Sequence, residues 1–111
     1  MEISRTDFKH CELFTVAGRV DSYSAPRLAQ VLAESTKENR FNLILDLGLV
    51  EYVSSAGLRV FIDVQKTCKQ SGRGEIILVA VPKRIYETLE LAGFVPLFRF
   101  FDDLTAAVAH F

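Results

Sequence analysis

The sequence contains no uninterrupted run of the ~18 apolar residues that a membrane-spanning helix requires. Its first residues, Met1-Glu2-Ile3-Ser4-Arg5-Thr6-Asp7, lack the apolar core of a secretion signal. A soluble cytosolic chain without membrane insertion is therefore expected. Charge of either sign is also not in excess, because 13 basic and 14 acidic residues are mixed along the chain for a net charge of -1. No basic patch stands out that could drive binding by counterion release, so nucleic acid is not an expected partner. The cysteines are two, Cys11 and Cys68, with no CxxC spacing. They are expected as buried small apolar side chains, not as a disulfide or metal ligands.

The sequence also lacks internal repeats and Pro/Gly/Ser-rich linkers, so residues 1–111 read as one domain. Neither G-x-x-x-x-G-K-[ST] nor G-x-G-x-x-G occurs, and Ser71-Gly72-Arg73-Gly74 stands between a helical pattern and a strand, the reverse of a phosphate-cradling order. No cofactor is expected. A hydrolase would need a nucleophile elbow and a general base, but G-x-S-x-G is missing. His10 and His110 fall in a hairpin turn and at the C-terminus, where surface positions are expected. Asp21, Asp46 and Glu51 match no metal-binding spacing and read as capping or solvated carboxylates. No catalytic residue and no metal site are expected, and the chain reads as a binding module.

What the sequence does hold is a regular succession of elements. Residues 2–8 and 11–20 mix apolar and polar positions without helical spacing and predict an antiparallel hairpin. Asp21-Ser22-Tyr23-Ser24-Ala25-Pro26 predicts a helix start, with a hydroxyl before a proline of the first turn, and Leu28, Val31 and Leu32 carry an apolar face to about residue 38. Phe41–Leu47 and Ile76–Val81 are nearly all apolar and read as central strands covered on both faces. Between them, a loop over Gly48–Val53 leads to a helix starting near Ala56, with Leu58, Phe61, Ile62 and Cys68 on its apolar side. Pro82 opens a third helix that Gly93 ends; Leu97–Phe101 is a last strand, and Asp102 or Asp103 caps a final short helix. The aromatic cluster Phe94, Phe98, Phe100 and Phe101 is assigned to packing of that last strand and its neighbours, with a docking patch as the alternative.

The expected fold class is α/β, in the order ββαβαβαβα: a mixed sheet with an N-terminal hairpin and helices packed against it. The carboxyl ends of its parallel strands are where a functional site belongs. Val53-Ser54-Ser55-Ala56-Gly57-Leu58 occupies such an end. A serine there can cap the helix, or can carry a phosphate whose negative charge the helix N-terminus favours. Gly57 adds little bulk and leaves room for a partner's backbone.

Three segments carry a family resemblance across nearly the whole chain: Gly18-Arg19-Val20-Asp21-Ser22-Tyr23-Ser24-Ala25-Pro26, Leu45-Asp46-Leu47 leading to Val53-Ser54-Ser55-Ala56-Gly57-Leu58, and Leu89-Glu90-Leu91-Ala92-Gly93-Phe94. In that order they resemble the STAS-domain anti-sigma factor antagonists of bacterial partner-switching systems. The resemblance implies a phosphoprotein that binds a serine-kinase anti-sigma factor when unmodified, is switched off by phosphorylation of one serine, and is reset by a serine phosphatase. It implies regulation of sigma-factor-dependent transcription. In the family pattern the target serine follows an Asp and maps to Ser55, while Asp21, Tyr23, Ser24, Ser54, Ala56, Gly57 and Leu58 map to the partner-binding surface. Position 54 departs from the pattern, with Ser in place of Asp, which leaves Ser54 as an alternative acceptor. STAS domains also resemble transport-complex subunits that dock on an ATPase without phosphorylation, and this second reading stands beside the first. The strand starting at residue 2 is a candidate sheet edge for a homodimer.

Overall fold

The computed structural model describes residues 1–111. A five-stranded mixed sheet has its strands in the same order in space as in sequence. Strands β1 (Glu2–Asp7) and β2 (Glu12–Val20) form the antiparallel hairpin, whose turn is closed by Phe8 N–H donating to Cys11 O at 2.8 Å. Helix α1 (Ala25–Lys37) then returns the chain to β3 (Asn42–Val53), parallel to β2. Helix α2 (Ser55–Gln70) leads to β4 (Glu75–Val79), and α3 (Lys83–Leu91) with a 3-10 turn (Val95–Leu97) leads to β5 (Arg99–Phe101). Both new strands add in parallel. Helix α4 (Leu104–His110) ends the chain, so the expected order ββαβαβαβα is the one observed.

Alternation along the central strands divides the core between the two faces of the sheet. Phe14, Leu43, Leu45, Ile76 and Leu78 point to one side, where α1, α2 and α3 supply Leu28, Leu32, Phe61 and Leu89. Leu13, Ile44, Ile77 and Val79 point to the other, which α4 covers with Ala107 and, at its margin, Leu104 and Val108. Cys11 and Cys68 are both free and buried; burial pushes the Cys68 thiol up to about 12 and raises that of Cys11. Phe94, Phe98 and Phe100 pack against the larger core and Phe101 against the smaller.

The structure corrects two boundaries. Gly48–Val53 is not a loop: β3 continues through it to Val53 and stays paired with β2. Between the pairs Thr15–Asp46 and Ala17–Leu49, and again between Gly18–Val50 and Arg19–Tyr52, β3 carries one residue more than β2. These bulges turn the buried positions Leu47, Val50 and Val53 into a spacing of three, which hides the strand's alternation. The last strand is also shorter than expected. Leu97 belongs to the 3-10 turn, where Pro96 has no N–H to give to a ladder, and β5 begins only at Arg99.

Because β5 starts late, the backbone of Ile76 lacks a strand neighbour there, and a side chain takes its place. Gln65 of α2, only 5 % exposed, accepts from Ile76 N–H at 2.6 Å and donates to Ile76 O at 3.2 Å and Leu97 O at 2.8 Å. This ties α2, β4 and the 3-10 turn together. On the opposite edge, β1 carries Arg5 paired with Asp7 at 2.7 Å and Glu38 at 2.9 Å, a charged edge of the kind that discourages strand addition.

Candidate functional site

Val20 and Val53 are register partners at the ends of β2 and β3, so the segments that follow them leave the sheet side by side. Ser54 N–H donates to Val20 O at 2.8 Å and locks the two exits together. From this point α1 and α2 start, and both face the same end of the molecule. The loop of Asp21, Tyr23 and Ser24 is thereby brought beside Ser54, Ser55 and Ala56.

Ser54 is the N-cap of α2, in extended backbone, and its Oγ accepts from Gly57 N–H at 3.3 Å. Serine and aspartate are equally good caps, so the departure from Asp at position 54 leaves the helix start intact. Ser55 is the first helical residue, exposed, and its hydroxyl makes no hydrogen bond within the chain. No acidic residue occupies the first turn of α2. A negative charge added on Ser55 meets unpaired helix N–H groups and no carboxylate from the first turn of α2 itself.

Ser24 does not cap α1 as its position before Pro26 suggests. Its backbone is already helical, and its hydroxyl turns back to accept from Asp21 N–H at 3.0 Å and donate to Arg19 O at 3.2 Å. Asp21 caps one turn earlier, its carboxylate accepting from Ser24 N–H and Tyr23 N–H, each at 3.0 Å. The pair is a reciprocal capping box written D-x-x-S. The Ser24 N–H, aided by the Ser24 hydroxyl, Tyr23 N–H and the Arg19 charge, holds the Asp21 carboxyl below its ordinary value against some desolvation. Tyr23 projects from this turn 94 % exposed.

Gly57 and Leu58 lie on the inner side of the turn. A Cβ on Gly57 would meet Val20 Cγ1 and Val53 Cγ1 at 2.8 Å, so its lack of a side chain admits the sheet and not a partner's backbone. Leu58 is 5 % exposed and belongs to the core. Sequence reading missed Leu49, Tyr52 and Arg19, which the bulged end of β3 and its neighbour β2 turn outward. Leu49 is 66 % exposed, and the Arg19 guanidinium lies 4.4 Å from the centroid of the Tyr52 ring. No alternation in Gly48–Val53 could have found them, because the two bulges convert it into a spacing of three.

Both histidines sit at the other end of the strands from Ser55. His10 O accepts from Asn42 Nδ2 at 3.0 Å where β3 begins, and His110 Nε2 lies 3.2 Å from Glu75 Oε1 where β4 begins. Neither reaches the serines. Asp46 accepts from Gly48 N–H at 3.0 Å, a backbone role like that of Asp21.

The fold recurs in known proteins. The family model for the STAS domain matches residues 4–107. The chain belongs to the STAS-domain family of anti-sigma factor antagonists. Among curated relatives, a putative anti-sigma factor antagonist, BtrV of Bordetella bronchiseptica, is 36 % identical over 94 residues, covering 85 % of this chain and 80 % of the relative. The anti-sigma-B factor antagonist of Listeria monocytogenes is 32 % identical over 93 residues, covering 84 % and 80 %. A putative anti-sigma factor antagonist from Thermotoga maritima shares the fold with a TM-score of 0.90 at 18 % identity, over 97 % of this STAS domain and 92 % of the other chain. The Bacillus cell fate determinant SpoIIAA in its phosphorylated form shares it with a TM-score of 0.77 at 9 % identity, over 98 % of each chain. No helix of the structure is long and apolar enough to cross a membrane.

Proposed function

We propose that this STAS domain binds an anti-sigma factor that is itself a serine kinase, and so frees a sigma factor for transcription. Phosphorylation of Ser55 by that kinase releases the complex, and a serine phosphatase restores the binding form. The observation that carries the reading is the division of labour in the turn: Ser54 spends its hydroxyl on the helix cap while Ser55 offers a free, exposed one at the first helical position. The helix N-terminus favours the added charge by about 0.3 to 1 kcal/mol, so the fold tolerates the phosphate. The interface does not, since a group of about -1.5 to -2 charge appears where Tyr23, Asp21 and Ala56 meet the partner.

The test is the affinity of the cognate anti-sigma factor for three forms of the domain. Ser55→Ala is expected to bind as the unmodified protein does, and Ser55→Asp to bind more weakly by about 2 kcal/mol or more, as for charge introduced into a close-packed interface. Equal affinities of the two variants would reject the phosphoswitch.

A further inference from the structure

The largest concave surface starts at the serine turn and runs along the outer side of α2. It consists of two open depressions of about 500 and 400 Å³ that share Ile62. The first begins at Ser55 and is walled by Leu58 and Phe94; the second ends at Leu97 beside the 3-10 turn. Three cations, Arg59, Lys66 and Lys69, rim this apolar floor, and no acidic residue lines either depression. In a chain with more acidic than basic residues, that segregation is notable. Asp63, the one acidic residue of α2, is exposed outside the lining. Arg59 and Lys66 make no ion pair within the chain, and Lys69 reaches only Glu75, at 4.0 Å.

We propose that this groove docks an acidic amphipathic helix of the partner protein, with apolar side chains on Ile62, Phe94 and Leu97 and carboxylates on Arg59 and Lys66. The dimensions suit it. Helix α2 has 16 residues and is about 24 Å long, room for three or four turns of a second helix beside it. An apolar floor with cations on one rim complements the two faces of such a helix, and charge complementarity of this kind fixes register and speeds association.

The groove also gives phosphorylation a second point of action. Ser55 and Arg59 are one helical turn apart and line the same depression, so a phosphate on Ser55 can pair with the Arg59 guanidinium at the i, i+4 spacing. The docked helix then loses its first cation and meets a like charge at the head of the groove. This last step rests on the phosphoswitch reading; the groove itself does not.

The probe is a synthetic amphipathic peptide of about 16 residues, with leucines at i, i+3, i+4 and i+7 spacing and glutamates on one flank, titrated into the isotope-labelled full chain. Amide shifts are expected along residues 56–70 and 92–97, with affinity falling as salt rises. Replacing the peptide's glutamates by glutamines, or making Arg59→Glu with Lys66→Glu in the domain, is expected to weaken binding by about tenfold or more. Both protein sites are exposed, and the glutamine peptide tests the same charges on the unaltered domain. No binding at millimolar peptide, shifts elsewhere, or equal affinity for the two peptides would overturn the proposal. Anionic phospholipid vesicles shifting the same amides with higher affinity than the peptide would also overturn it. A failed groove with an intact Ser55→Asp effect rejects the groove alone; peptide binding with no Ser55→Asp effect on the anti-sigma factor rejects the phosphoswitch alone.

Discussion

Ser54 Oγ accepts from Gly57 N–H at 3.3 Å, so the residue that replaces the family's Asp holds the helix while its neighbour Ser55 stays free. The two serines should therefore respond differently to the same truncation. Ser54→Ala is expected to cost about 1 kcal/mol of stability and Ser54→Asp almost nothing, the usual behaviour of an N-cap. Ser55→Ala should stay within about 0.5 kcal/mol of the parent, as at other exposed positions. Urea unfolding of the four proteins reads this out. A larger loss at Ser55 than at Ser54 would reverse the assignment of cap and free hydroxyl.

Gly57 is tightly enclosed. In a helix, Gly→Ala ordinarily stabilises by up to about 1 kcal/mol. Here the added Cβ meets Val20 and Val53 at 2.8 Å, two short, branched, buried side chains with little room to move. Gly57→Ala is expected to destabilise by about 1 to 2 kcal/mol net, as overpacking does, with Val53→Ala restoring part of the loss. Stability equal to or above the parent would show that the turn has slack.

Gln65 substitutes for a missing strand partner. Gln65→Leu keeps the packing volume but strips the Ile76 N–H and the Ile76 and Leu97 carbonyls of their bonds. A loss of about 2 kcal/mol or more is expected, from buried backbone groups left unsatisfied. Hydrogen exchange should localise it, with the Ile76 amide losing protection first.

Asp21 links the turn before α1 to pH. Its carboxyl is depressed in the folded state, so its contribution is fully present above the ordinary carboxylate pKa of about 3.9 and is lost as pH falls through the lower, folded value. The Tyr23 and Ser24 amides, which it accepts from, should titrate with a midpoint below the ordinary carboxylate value. Titration of those amides at or above the ordinary carboxylate value would show that the capping box is open in solution.

Much of the fold was legible because each helix carries its apolar stripe at 3.6-residue spacing and the central strands are continuous apolar runs. Ser55 was legible only through the three motifs, since helix-capping physics alone does not choose between two adjacent serines. The end of β3 was hidden because two bulges convert its alternation into a spacing of three, and Leu49 and Tyr52 were hidden with it. Gln65 read as one more polar residue of an amphipathic helix, for nothing local says that β5 begins too late to pair with Ile76. Ser24 before Pro26 is a strong capping signal, yet the reciprocal pair with Asp21 moves the cap a turn earlier.

Phosphopeptide mapping of the protein isolated from its native cells, in growth and under stress, tests the central claim most directly. Phosphate on Ser55, reversible and absent from Ser54, is the expected result. Phosphate on Ser54, or none on either serine under any growth condition, would contradict it.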